Sequence, residues 1–316
     1  MSIRKIGTKI ATIENINIPE EFESISLKIN EHKMKTYSFT QNHYPYSYKD
    51  NDEINGENAP AGILLNDLAS LYYTSFDPDT NMGFHTDEEL VFHSPAKIGE
   101  KVTLTGSYTD KYQKNGKNYV VMDCEALGED GRKLITRRGI EIFGAETGAE
   151  KKKSNRTKKK VNKENVITGK YDKKLKVIEN SSQKLEIGHP IKFLRKKITP
   201  EQTSVYSFAG DYLVNIHNNI QVARNAGLEF PVIQALQQVG YILEMLTDFF
   251  GEDWQTSGRL KVKFIKPVRS DAVIMTKGVI KEIDKTVNQK TLKLEVWTED
   301  QHQDMTVVGW ASADID

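Results

Sequence analysis

In the stretch "SFAGDYLVNIHNN", Ser207 to Asn219, an acid and a histidine stand six residues apart. Asp211 and His217 are residue types that can take a proton from one atom and return one to another. Two readings compete: an acid–base pair presented to a substrate, or a strand end and turn that happens to be polar. An isolated pair at this spacing favours the turn, so the elements around it must decide.

The chain repeats itself. "YSFTQN" at Tyr37–Asn42 matches "YSFAGD" at Tyr206–Asp211, an offset of 169 residues. Pro60 matches Pro231 at 171, "LVFHSP" at Leu90–Pro95 matches "VKFIKP" at Val262–Pro267 at 172, and Gly106 falls on Gly278 at the same 172. An offset that grows slowly and never reverses is what a duplicated unit with small insertions gives.

Each copy has the same order of elements. Leu64, Leu65, Leu68, Leu71 and Tyr72 recur at helical steps in the first, and Leu236, Val239, Gly240, Leu243, Leu246 and Phe250 in the second. These helices, near 60–73 and 232–250, are too apolar to lie on a surface. Alternating runs follow, such as "KVTLTGSYT" and "RKLITRRGIEIF", then "RLKVKFIKP" and "KTLKLEVWTED", separated by turns such as "KNGKN" and "GEDGR". A helix followed by antiparallel strands predicts an α+β chain in which a curved sheet wraps a long central helix, once per half. The two sheets are expected to join edge to edge, because an unpaired edge invites association.

Composition bounds the class. The 316 residues are 38% hydrophobic and 28% charged, with zero formal net charge, which fits two soluble domains. No apolar run is long enough to span a membrane, and the N-terminus lacks the apolar segment of a signal peptide. A single cysteine, Cys124, excludes an intrachain disulfide and a cysteine-based zinc cluster. The expected location is cytoplasmic. "KKKSNRTKKKVNK", residues 151–163, holds eight basic residues and no acid, leaving the remainder about eight charges acidic. It reads as a solvated linker. Nucleic acid is not expected as a partner, since no aromatics interleave the basic run. The boundaries read as an N-terminal lead over 1–24, a first unit over 25–145, a basic linker over 146–184 and a second unit over 185–316. No histidine has metal-site spacing to nearby carboxylates, so no metal is expected. Walker and Rossmann glycine patterns are also lacking.

A Gly-Asp turn, a nearby histidine, a central helix and a strand beginning F-x-x-P resemble the MaoC-like (R)-specific enoyl-thioester hydratases and dehydratases, in their double-hotdog form. The family pattern runs S-G-D-x-N-P-[IL]-H, with an acid two after the histidine, an alanine six after it, then glycine and proline, and a His-Gly pair opening the helix. Gly210, Asp211, His217, Ala223, Gly227 and Pro231 match. This sequence departs in four places. The Asp-to-His gap is six instead of five, so Tyr212 stands where counting back from His217 would put the acid. Asn215 replaces the proline, Asn219 the acid, and Gln234-Ala235 the His-Gly.

The resemblance implies two tandem hotdog units and a hydro-lyase. It adds water to a trans-2-enoyl thioester, or removes it from a 3-hydroxyacyl thioester. Asp211 and His217 would hold and activate that water, and the Ala235 backbone N–H would face the thioester oxygen. Gly210, Asn215, Pro231 and Gln234 would lie on the substrate side. No cofactor is implied beyond the CoA or acyl-carrier-protein thioester that serves as substrate. Lys261, Lys263 and Lys266 sit on a strand where alternate basic residues share a face. They are either a solvated face or a contact for CoA phosphates or an acidic carrier surface. The first half has Asn42 and Tyr48 where the second has Asp211 and His217, so it would shape the acyl pocket, with "LLNDLASLYY" along it. The four departures leave an alternative open: a non-catalytic double hotdog that binds an acyl thioester or a protein. A homodimer is also left open.

Overall fold

A computed structural model describes residues 7–45, 51–77, 80, 83–143, 166–207, 214–286 and 290–315. The strands are β1 (Glu20–Glu21), β2 (Ile25–Lys28), β3 (Phe84–Phe92), β4 (Lys101–Lys114), β5 (Lys117–Leu127), β6 (Lys133–Phe143), β7 (Leu194–Lys197), β8 (Arg259–Phe264), β9 (Val273–Lys285), β10 (Lys290–Glu299) and β11 (Met305–Ile315). The helices are α1 (Glu31–Gln41), α2 (Asn51–Ile54), α3 (Leu65–Ala69), α4 (Pro200–Ser207), α5 (Ile220–Asn225), α6 (Ala235–Phe250) and α7 (Glu252–Ser257), with a 3-10 turn at Ser70–Thr74 directly after α3.

All eleven strands form one sheet, in the order β1-β4-β5-β6-β3-β8-β11-β10-β9-β7, with β2 also on β4. Read outward from the centre, the two sides are copies: β3 and β8, β6 and β11, β5 and β10, β4 and β9, β2 and β7. The repeat is exact in places, since β2 and β7 differ by 169 residues at both ends and Phe92 and Phe264 close their strands at 172. The expected edge-to-edge join is the antiparallel β3–β8 pair, running from Asp87↔Lys263 to Val91↔Arg259.

Period-two alternation decides what each strand buries. On β8, Leu260 and Val262 point inward, and on β3 Leu90 and Phe92 do. The same parity places Val120, Met122, Cys124 and Ala126 of β5 under the first helix. In the second half α6 fills the concave face as expected and is buried nearly all round. It begins at Ala235, because the Gln234 side chain caps it by accepting from the Leu236 N–H at 2.6 Å.

The first half differs from the expected long helix over 60–73. Residues 61–64 form a turn, α3 has five residues, and the chain then tightens into the 3-10 turn. Two hydroxyl groups bond back to the backbone along this stretch. Ser70 Oγ donates to the Asn66 carbonyl at 2.7 Å and Thr74 Oγ1 to the Leu71 carbonyl at 2.9 Å. Such back-bonding disfavours a continuing helix.

The halves also meet through their helices. Asn66 Nδ2 of α3 donates to the Tyr206 carbonyl of α4 at 2.7 Å, and Gln237 Nε2 of α6 donates to the Thr40 carbonyl of α1 at 2.7 Å. Lys196 of β7 bonds both the Asn42 carbonyl, at 2.9 Å, and the Glu244 carboxylate of α6, at 2.6 Å. Residues 7–24 run along the first half, with Ala11, Ile16 and Phe22 buried in the common core. The basic run 151–163 lies outside the described residues.

Candidate functional site

His217 sits in a turn between α4 and α5 that several asparagines hold in shape. Asn215 Oδ1 accepts from the His217 N–H at 2.7 Å, and Asn218 Oδ1 accepts from the Asn215 N–H at 2.9 Å. Asn218 Nδ2 donates to Ser204 Oγ of α4 at 2.7 Å. Asn219, standing where the resemblance expects an acid, caps α5 by accepting from the Gln221 and Val222 N–H groups. Ala223 is fully buried in α5, and Gly227 closes that helix at φ +74°, a conformation that favours glycine. The turn therefore reads as a cap-and-turn network, and none of it is strand.

The imidazole is fixed by one bond. Its Nδ1 lies 2.7 Å from the Val232 carbonyl. A carbonyl can only accept, so Nδ1 carries the proton and Nε2 is left with its lone pair. Burial drives the pKa of His217 down to about 4, against a smaller upward pull from the Val232 bond and with a further downward push from His85. The neutral ring is therefore the form that the fold holds at neutral pH.

Val232 belongs to the segment that opens α6. Pro231 accepts from the Ser270 N–H at 3.0 Å, and the Ile233 N–H donates to Val268 at 2.8 Å, so 231–233 is pinned to 268–270. Ala235 begins α6 three residues after Val232, and first-turn amides of a helix have no intrahelical acceptor. His217 is thus tied directly to the entry of the helix whose first amide is Ala235. Gln234 acts as the helix cap. Gly210, Asp211 and Tyr212 lie outside the described residues, so His217, Asn215, Pro231, Gln234 and Ala235 are the part of the site whose placement is described.

Lys261, Lys263 and Lys266 all have acidic partners. Lys261 pairs with Glu89, Lys263 with Asp87 at 3.3 Å, and Lys266 with Asp300 and Asp304 at 2.8 and 2.7 Å. The first two are cross-strand pairs of the β3–β8 seam, so a phosphate there would meet charges already compensated.

Sequence reasoning missed a second group. Arg137 of β6 and Glu88 of β3 form an ion pair at 2.6 Å with both side chains 0% exposed. Beside it His85 Nε2 lies 3.0 Å from the Glu141 carboxylate. Arg137 Nη2 also comes within 3.3 Å of that same nitrogen. The shorter approach to a carboxylate is the one that fits an Nε2–H donor. Strand parity, which Arg137 and Glu141 share with buried Ile135 and Phe143, hints only that they face inward. A cleft opens elsewhere, between α1, α3 and α4, lined by Tyr37, Thr40, Gly62, Asn66, Asp67 and Tyr206. Neither His217 nor Ala235 lines it.

No family model matches the sequence, and no curated protein is similar enough to it to be called a relative. Solved structures are similar in fold. A MaoC-like dehydratase superposes with a TM-score of 0.71 at 13% identity, covering 95% of this chain and 98% of that one. A MaoC-like dehydratase from Phytophthora capsici gives 0.63 at 17%, covering 98% of each chain. A Mycobacterium tuberculosis protein described as having a double hotdog fold gives 0.62 at 10%, covering 98% of this chain and 99% of that one. The chain has this fold: two hotdog units side by side in one polypeptide.

Proposed function

We propose that the chain is a hydro-lyase for acyl thioesters, hydrating a trans-2-enoyl thioester to the (R)-3-hydroxyacyl product or running the reverse. The observation that carries this reading is His217: a neutral imidazole with Nδ1–H committed to Val232 and Nε2 able to accept a proton, tied to the entry of α6. In the hydration direction, Nε2 and the Asp211 carboxylate grip one water. A water proton passes to this pair as the oxygen bonds to the β-carbon. The electron pair of the double bond moves to give an enolate, and its oxygen meets the Ala235 N–H at the positive end of a helix. A proton returned from the pair to the α-carbon completes addition of H and OH. The substrate is a CoA or acyl-carrier-protein thioester, and the single cysteine, buried Cys124, suits a reducing compartment such as the cytoplasm.

The test is incubation with crotonyl-CoA while following the absorbance of the conjugated thioester. Loss of that absorbance without free thiol, abolished by His217→Ala, is the expected result. Release of free thiol would make the protein a thioesterase. No reaction with tight binding would favour the second reading, a non-catalytic acyl-thioester or protein-binding module. Gln234-Ala235 in place of His-Gly and the six-residue Asp-to-His gap are the observations that favour it.

A further inference from the structure

The concave face of the second half is filled by α6 and α7. Among the described residues, the helical cover on the matching face of the first half is shorter, α3 and one 3-10 turn that ends at Thr74. Space beyond a short helix would admit an acyl tail, and an apolar lining would then be expected. The inner face of β3 and β6 instead carries His85, Glu88, Arg137 and Glu141. The fold does not demand charges there. At the 172-residue offset the second half has Leu260 for Glu88, Gly309 for Arg137 and Ala313 for Glu141.

With the thioester placed at His217 by the proposed function, these charges stand on its way into the first half. His85 is close enough to His217 to bear on its protonation, and its ring packs against Phe264 of β8 at 6.0 Å between centroids. A chain extending from a reacting carbon at His217 into the first half meets His85 first, with the Glu141 carboxylate and the Arg137–Glu88 pair behind it. Burial, reinforced by the Glu141 charge, pushes the hydroxyl pKa values of Tyr72 and Tyr108 well up, so both stay neutral beside that carboxylate. A hydrocarbon tail could enter only by separating buried ion pairs, and a buried charge without its partner is strongly unfavourable.

We infer that this protein takes short-chain acyl thioesters, and that His85, Glu88, Arg137 and Glu141 are the wall that sets the length limit. The inference rests on the hydro-lyase reading for the position of the thioester. The experiment is calorimetric titration with saturated acyl-pantetheines, from butyryl to octanoyl, which carry the arm common to CoA and carrier protein and cannot be hydrated. An open apolar tunnel would tighten binding about fourfold for each added methylene, at ~0.8 kcal/mol apiece. The wall predicts no gain beyond butyryl, and a loss by octanoyl. The variant His85→Leu, Glu88→Leu, Arg137→Leu and Glu141→Leu removes both partners of each pair, so no charge of the wall is stranded, and should let octanoyl bind at least tenfold tighter than it does to the unaltered protein. Affinity that climbs steadily with length in the unaltered protein would overturn the inference while leaving the hydro-lyase reading intact. Failure of every acyl-pantetheine to bind would overturn both.

Discussion

At the scale of single residues, the imidazole of His217 makes a claim about pH. For the free enzyme, kcat/KM reports the ionisation of its essential base. A histidine in water would give an acid limb near 6.5, but burial holds this one near 4. The rate of hydration should therefore stay level as pH falls through 6 and drop only at about 4 to 5, measured with crotonyl-CoA. A limb near 6.5 would place the proton transfer on another group. In the sequence, the Ala223, Gly227 and Pro231 spacing singled out His217 as a candidate. Its tautomer was not legible there, since that depends on the Val232 carbonyl, fifteen residues away along the chain. The polar roles of Asn215 and Asn219 were hidden for the same reason: departures from a motif show that a residue differs, and only the turn shows that it caps.

Among the elements, the strands could be read best. Alternation and turn residues placed them, and the repeat offset paired each with its copy. The first helix was misjudged because apolar spacing reports which face is buried and says little about where a helix begins and ends. The basic strip on β8 was also opaque. Lys261 and Lys263 look like a ligand contact until β3 supplies Glu89 and Asp87 directly opposite. Opposite charges facing each other across a ladder stabilise it modestly, and like charges oppose it. Lys261→Glu with Lys263→Glu should cost about 1–2 kcal/mol and lower Tm by a few degrees. Adding Glu89→Lys and Asp87→Lys should restore most of it. If the quadruple variant melts no higher than the double, the pairs contribute nothing to the seam.

On the scale of the whole molecule, duplication and the edge-to-edge join were visible in the sequence. The charged wall under the short helix was not, because β-alternation predicts burial and offers no reason to bury Arg137. The β3–β8 ladder and the α1–α6 and α3–α4 contacts bind the halves by many bonds that do not pass through residues 151–163. A chain cut by protease within that run should therefore elute as one particle and melt in one transition. Separation of the two fragments in gel filtration would show that the covalent link is what holds them together.

The Arg137–Glu88 pair exists once, opposite Leu260 and Gly309 in the other half. A symmetric pair of separate subunits would have to accept every substitution in duplicate, so a charge placed to block one chamber would appear in both. Carrying the two copies in one polypeptide removes that obligation. Each copy can then drift under its own selection, so that on the proposed function one would measure a substrate and the other transform it.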